Sequence, residues 1–398
     1  MIYQKLEAHI HLVEKKFSSC RKFPENPNKQ KLYDHISYLL TEIKTINFKE
    51  EVWKTTTTNR PLYAFKSLLD RMFENIEHLH YDNEDEDYSK ELIHCLELAY
   101  SEWKNAPRTD YFIAISYNSN LSKFEEISYP DSGLTALNSQ LMTTPSVKKL
   151  QYDPNFIQIS KPRILFDDYL CSVGVYHELG HAVDKQNNII DDLFADKEFL
   201  ATMQSIQFQN LGYDLKKDDL LLNDVKDICN EIKIIKKVQE QTVIARRHYK
   251  EYFCDLFAAR YVGWSLIDYL RYFDFSPYDN PTDTYPTLTS RINVTRAFLE
   301  KTGSQETGFI VNNIEKSCFK NTKVNLLKPI HNGILDEDPF QRFEPVKIKD
   351  PNKVHLLFLR GWECWLNRSH SIHTKYPDSS VCYVKINELI KQSITMSI

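Results

Sequence analysis

Apolar residues recur at three- and four-residue spacings through most of the first 105 positions. This predicts amphipathic helices around 2 to 18, 28 to 46, 61 to 80 and 88 to 104. Pro24, Pro27 and the run Asp82-Asn83-Glu84-Asp85-Glu86-Asp87 punctuate them, the acidic run reading as an exposed loop. The pattern then shortens. Tyr111 to Tyr117 and Asn155 to Ser160 are brief β-branched and aromatic runs of strand character, separated by a loop over 118 to 154 that holds Pro130, Gly133 and Pro145. Helical periodicity returns with a largely apolar helix that starts at Asp167-Asp168 and carries residues 169 to 182. A polar, partly irregular stretch from Asp191 to Asp224 leads to a long helix over 230 to 273. The last region, 301 to 398, is mixed, with helices near 354 to 366 and 384 to 393 and with Trp362 and Trp365 as core residues.

The chain therefore divides into a helical region over 1 to 105, a mixed region over 106 to 300 and a mainly helical region over 301 to 398. With 42% hydrophobic and 26% charged residues it has the composition of a folded globular protein. Only 9 glycines in 398 residues argue against a glycine-cradled nucleotide fold, and neither a Walker sequence nor a dinucleotide fingerprint is present. The net charge of −5 gives no argument for nucleic acid, and Lys236-Lys237 and Arg246-Arg247 read as solvated faces of a helix that also holds Glu231, Glu240 and Glu251. The amino terminus lacks the apolar core of a signal peptide, and no apolar run is long enough to span a bilayer, so no membrane partner is expected. Eight cysteines scattered without close pairs suit reduced thiols in a cytoplasmic protein.

One pentapeptide changes the picture. Residues 177 to 181 read His-Glu-Leu-Gly-His. On a helix His177 and His181 lie one turn apart on one face, so both imidazoles can bind one Zn2+ ion, while Glu178 sits where its carboxylate can reach a water. Zinc lowers the pKa of such a water, and the carboxylate takes its proton as it attacks a carbonyl. Gly174 and Gly180 cost about 1 kcal/mol each against alanine in a helix, which suggests the close approach of another backbone or a substrate.

A catalytic zinc needs a third protein ligand. A continuation of the motif by Gly-x-x-His is excluded by Asp184 and Asn187, so the ligand comes from elsewhere. The best segment is 246 to 263, where Glu251 and Asp255 are one turn apart: Glu251 can bind the metal while Asp255 accepts the spare imidazole N–H of a ligand histidine. His248 is a rival ligand on an adjacent turn.

His-Glu-x-x-His followed far downstream by Glu-x-x-x-Asp resembles the gluzincin zinc metallopeptidases, and among them the catalytic core of the class that includes the CAAX prenyl-protein proteases, without their membrane spans. In that class the second helix reads Glu-x-x-Ala-Asp-x-x-Ala; here Glu251, Cys254, Asp255 and Ala258 take those places, with cysteine replacing alanine. A downstream His-Pro-x-x-x-x-Arg-Ile element is matched by Tyr285-Pro286 through Arg291-Ile292, with tyrosine in place of histidine. The resemblance implies that Arg291 lies near the site, either bracing an acidic group or polarising the substrate oxyanion, and that Tyr285 can donate a hydrogen bond to that oxyanion. It covers residues 155 to 300.

The expectation is an α+β, predominantly helical protein with a zincin-like core and a small β-sheet, flanked by helical N- and C-terminal regions. Its expected activity is zinc-dependent hydrolysis of peptide bonds. His177, His181 and Glu251 are the expected ligands, Glu178 the base, Asp255 an orienting group, and Tyr285 and Arg291 further catalytic candidates. A protein or peptide substrate lying along the edge strand 155 to 160 is the expected partner. Two alternatives are a regulatory protease specific for one cellular protein and a zincin-fold scaffold without turnover.

Overall fold

The computed structural model describes residues 2–20, 27–44, 86–103, 112–118, 125–128, 156–162, 168–210, 225–273, 279–326 and 337–398, with isolated positions between them. Most of the predicted 61–80 helix and nearly all of the predicted 118–154 loop lie outside the described residues. Those described are predominantly helical, and among them no helix is long and apolar enough to cross a membrane.

Two compact units emerge, one of residues 1–93 and 108–163 and one of 94–107 and 164–398. They do not follow the boundaries expected at 106 and 300. The strands group with the amino-terminal helices, and the last hundred residues pack into the unit that carries the His-Glu-Leu-Gly-His motif, because its apolar helix faces need those partners.

In the first unit, helices α1 (Ile2–Phe17) and α2 (Pro27–Lys44) bury Val13, Ile36, Leu39 and Ile43. Helix α3 (Glu86–Ser101), of which only the part to Ile93 belongs to this unit, begins within the acidic run that the sequence pattern assigns to a loop. Strands β1 (Phe112–Asn118), β2 (Glu125–Ser128) and β3 (Phe156–Pro162) form a sheet in the order β1-β3-β2. β3 pairs parallel with β1, Phe112 opposite Phe156, and antiparallel with β2, Glu125 opposite Ser160. It is therefore the central strand and not the expected free edge. Both of its neighbouring positions are taken, and Ile157 and Ile159 are fully buried.

The second unit is built on α4 (Val173–Asn187), α5 (Ile189–Ala195), α6 (Lys197–Asn210), α7 (Val225–Val262) and α8 (Ser265–Phe273). Around them lie α9 (Leu288–Glu300), α10 (Gln305–Thr322), α11 (Pro339–Arg342), α12 (Leu356–Leu366), α13 (Ser371–Lys375) and α14 (Ser379–Ser397). The motif helix α4 starts later than its acidic lead predicts. Asp168 is spent on a preceding turn, its Oδ1 accepting the Cys171 N–H at 2.9 Å. Of the stretch expected to be partly irregular from Asp191 to Asp224, residues 191–210 are helical with a break at Asp196 and 211–224 lie outside the described residues; Asn188 in the left-handed region (φ 52°) marks the break between α4 and α5. The expected 230–273 helix is two helices, divided at Gly263 with φ 59°, a conformation glycine adopts without steric cost.

Residues from the C-terminal region clamp α4. Asn387 Oδ1 accepts the backbone N–H groups of Tyr169 and Leu170 at 2.7 and 3.1 Å, and the Trp362 indole donates to the Leu170 carbonyl at 3.0 Å. Tyr383 donates to Asp168 at 2.8 Å, and the Tyr176 hydroxyl donates to His355 Nδ1 at 2.8 Å. Ser317 donates to the Ile189 carbonyl just beyond the far end. The chain's 301–398 region thus satisfies polar groups at the start of α4 that burial takes from water. Trp362 is core, as expected, at 2% exposure, whereas Trp365, expected to be core as well, is only partly buried.

Helices α4 and α7 approach closely, backbone against backbone. A Cβ on Gly180 would stand 2.9 Å from the Cα of Cys254. Alanine there gains about 1 kcal/mol of helix propensity but pushes against backbone, and overpacking costs about 1 to 3 kcal/mol. Gly180→Ala is expected to lower the melting temperature; an unchanged or raised one contradicts this packing.

His355 sets a pH dependence. It is fully enclosed, and burial lowers its pKa from 6.5 to about 3, so the folded protein holds it neutral. Below 6.5 the unfolded chain takes up a proton that the folded chain refuses. Its contribution is complete above that pH and is lost as pH falls towards 3. Between pH 7 and 5 the loss from this group is about 2 kcal/mol. Denaturant melts of wild type and His355→Gln should show a shallower acid dependence in the variant.

Candidate metal centre

The site lies where α4 crosses α7. Their spacings place it: His177, Gly180 and His181 share one face of α4, and Glu251, Cys254, Asp255 and Ala258 share one face of α7. Small residues at the crossing let the two faces meet, so the polar side chains beside Gly180 and Cys254 are held together at the rim of an apolar contact. Phe253 and Phe257 pack on Trp103, and Tyr261, stacked on Tyr176 of α4, accepts from the Trp103 indole at 2.7 Å.

The His177 and His181 rings stand edge to face with centroids 5.0 Å apart. Glu251 reaches both. Its Oε2 is 3.3 Å from His177 Nε2 and its Oε1 is 3.5 Å from His181 Nε2. Glu251 Oε2 is nevertheless a buried oxygen without a hydrogen bond among the described residues. On its other side His177 donates from Nδ1 to Asp255 Oδ1 at 2.9 Å. Asp255 is fully buried and is gripped by Arg291, Nε to Oδ2 at 2.8 Å and Nη2 to Oδ1 at 2.6 Å.

The electrostatics follow from burial and these partners. Burial opposes a charge on Asp255, but Arg291 and the His177 hydrogen bond outweigh it and hold the carboxyl well below the usual range. Burial also opposes a charge on His177, yet Asp255 and Glu251 raise its pKa to about 10. His181 moves the other way, to about 4, through burial and the neighbouring His177. Burial works against Glu251 too, and the two histidines still keep its carboxyl low. Two buried carboxylates against one guanidinium leave a demand for positive charge between Glu251 and the two imidazoles. A proton on His177 answers it here, and a cation bound to both imidazoles answers it with the rings neutral.

Ligand atoms of His177, His181 and Cys254 lie within 4.8 Å of one another, a group able to hold a metal ion. Cys254, which stands where the resembled motif has alanine, was not among the expected ligands, although its place three residues after Glu251 puts it on the same face. Its thiol is fully buried, and burial pushes its pKa well up. Glu178 is half-buried on the adjoining face of α4. His248, the rival ligand, faces the Thr282 carbonyl at 2.8 Å. Arg291 occupies the bracing position of its two expected alternatives. Tyr285 stands half exposed on the turn before α9, its backbone N–H donating to Thr282 Oγ1. Compared with known proteins, the chain matches no family model, no curated protein and no solved structure.

Because Asp255 holds the Nδ1 proton of His177 and so leaves Nε2 as the atom that a cation would take, Asp255→Asn is expected to weaken binding of a divalent ion about 10- to 100-fold. Chelator competition on the folded variant measures this; an unchanged affinity contradicts the orienting role.

Proposed function

We propose that this chain is a zinc-dependent metallopeptidase of the gluzincin kind, with His177, His181 and Glu251 as ligands and Glu178 as general base. The observation that carries the reading is the buried Glu251 carboxylate, with its Oε2 lacking a hydrogen bond and 3.3 Å from His177 Nε2 and its Oε1 3.5 Å from His181 Nε2. In a tetrahedral zinc site with the usual bond lengths, a nitrogen and an oxygen ligand lie ~3.4 Å apart; each Glu251 oxygen stands near that distance from one imidazole, and a turn of the carboxylate would set one oxygen against both. Two imidazoles and a carboxylate also suit zinc in chemical type.

When bound, the ion supplies Lewis acidity towards a water and a carbonyl oxygen. The chain's residues do the rest. Asp255 accepts the Nδ1 proton of His177, which keeps its Nε2 lone pair free. Arg291 holds Asp255 ionised and in place, so its charge serves the ligand shell. Glu178, half-buried and next to His177 in sequence, takes the proton of the attacking water and passes it to the leaving amine. Tyr285, half exposed, offers a phenol to the developing negative charge. An extended peptide is the substrate class that the resemblance implies. Free thiols at Cys20, Cys95, Cys171, Cys254, Cys318, Cys364 and Cys382 support a cytoplasmic, reducing setting.

Elemental analysis and a proteome-wide search for cleaved peptides test this together. Wild type should carry one zinc per chain and cleave. Glu251→Ala should lose zinc, and Glu178→Gln should keep zinc and lose cleavage by at least about 100-fold. A wild type without metal overturns the reading, and cleavage by Glu178→Gln at the wild-type rate overturns the role of the base.

A further inference from the structure

The ligand shell has one more donor than the metallopeptidase reading uses. Cys254 Sγ lies within 4.8 Å of the ligand atoms of both histidines, and Cys254 follows Glu251 by three residues on the same helix face. We propose that the Cys254 thiolate is a fourth protein ligand in the resting state, closing a His-His-Glu-Cys shell over the position that hydrolysis needs. This rests on the reading above that an ion binds among His177, His181 and Glu251.

Packing alone does not account for the cysteine. At the α4–α7 crossing a Cβ on Gly180 would stand 2.9 Å from Cys254 Cα, 3.2 Å from its Cβ and 3.3 Å from its Sγ. The contact demands a small side chain on α7 and glycine on α4. Alanine on α7, the residue found there in the class this chain resembles, meets that demand with one heavy atom fewer. The additional atom is sulfur, it is fully shielded from solvent, and it sits beside two imidazoles. The side chain of Glu251, only 7% exposed and with an oxygen lacking a hydrogen bond, is a second observation at the same place, an acceptor that a cation would satisfy.

A nitrogen and a sulfur ligand of a tetrahedral zinc lie ~3.6 Å apart, against separations of up to 4.8 Å here, so binding would draw Sγ and the imidazoles together. As the sulfur–metal bond forms, the thiol S–H bond breaks and its proton leaves to solvent, with no oxidant or reductant involved. Sites with four protein ligands are closed, whereas catalytic sites keep a position for water. Hydrolysis is then latent until Cys254 is displaced or the shell expands. The soft sulfur also biases the site towards thiophilic ions such as cadmium over manganese.

Cobalt(II) is the probe. Wild type, Cys254→Ala and Cys254→Ser are each loaded with one equivalent, and the near-ultraviolet thiolate-to-cobalt charge-transfer band is recorded beside the visible d–d bands. The proposal expects the charge-transfer band in wild type and its absence in both variants, with cobalt still bound through the remaining three residues. It also expects cadmium affinity to fall at least ~10-fold in the variants while manganese affinity stays within about twofold. Serine keeps the shape of cysteine, so a folding failure of the alanine variant leaves the comparison intact. Bound cobalt without a charge-transfer band in wild type overturns the fourth ligand and leaves the three-residue site standing. Failure of wild type to bind cobalt at all overturns both.

Discussion

A carboxylate sealed away from water stays ionised only if its partners offset the lost hydration, and Asp255 has two such partners. Arg291 grips both of its oxygens from α9, and His177 donates to one of them from α4. This one side chain on α7 therefore ties three helices to a single point and fixes which ring nitrogen of His177 carries a proton. The position of His177 Nε2, and through it the relation of the two histidines to Glu251, depends on that arrangement. Arg291 belongs to this structural triangle, which explains why its charge is directed at a carboxylate within the protein.

The triangle requires the two main helices to approach closely, and a chain with 9 glycines places one of them at the point of contact. Gly180 gives up helix propensity so that Cys254 can lie against its backbone. Phe253 of α7 packs on Trp103, while the lead into α4 is held by Asn387, Tyr383 and Trp362. The C-terminal region thus acts as a scaffold that orients the motif helix, by hydrogen bonds to backbone groups that no side chain of α4 itself can satisfy. Such a clamp gives the imidazoles a fixed origin, which a site built on two helices needs more than one built on a single rigid loop.

Much of this was legible in the residues. Helical spacing of His177 and His181, and of Glu251 and Asp255, was enough to pair the right faces and to choose Asp255 as the partner of a histidine, because a 3.6-residue period leaves few side chains facing the same way. The predicted helices near 2 to 18 and 354 to 366 match α1 and α12 closely, since their apolar stripes are regular. Three features were not legible. The pairing of β3 on both sides is a long-range choice that no local run encodes. The clamp by Asn387 and Tyr383 depends on single polar side chains some two hundred positions from their partners. Cys254 was not legible as a ligand because sequence spacing shows that it shares a face with Glu251 but not how near its sulfur comes to the imidazoles.

The central claim is that the α4–α7 crossing holds one metal ion among His177, His181 and Glu251. Anomalous diffraction from crystals of the full chain, collected on either side of the zinc absorption edge, tests it most directly. The account predicts a single strong anomalous peak within bonding distance of His177 Nε2, His181 Nε2 and a Glu251 carboxylate oxygen. Well-ordered density for those three side chains with no anomalous peak between them, in crystals grown with zinc present, would contradict it.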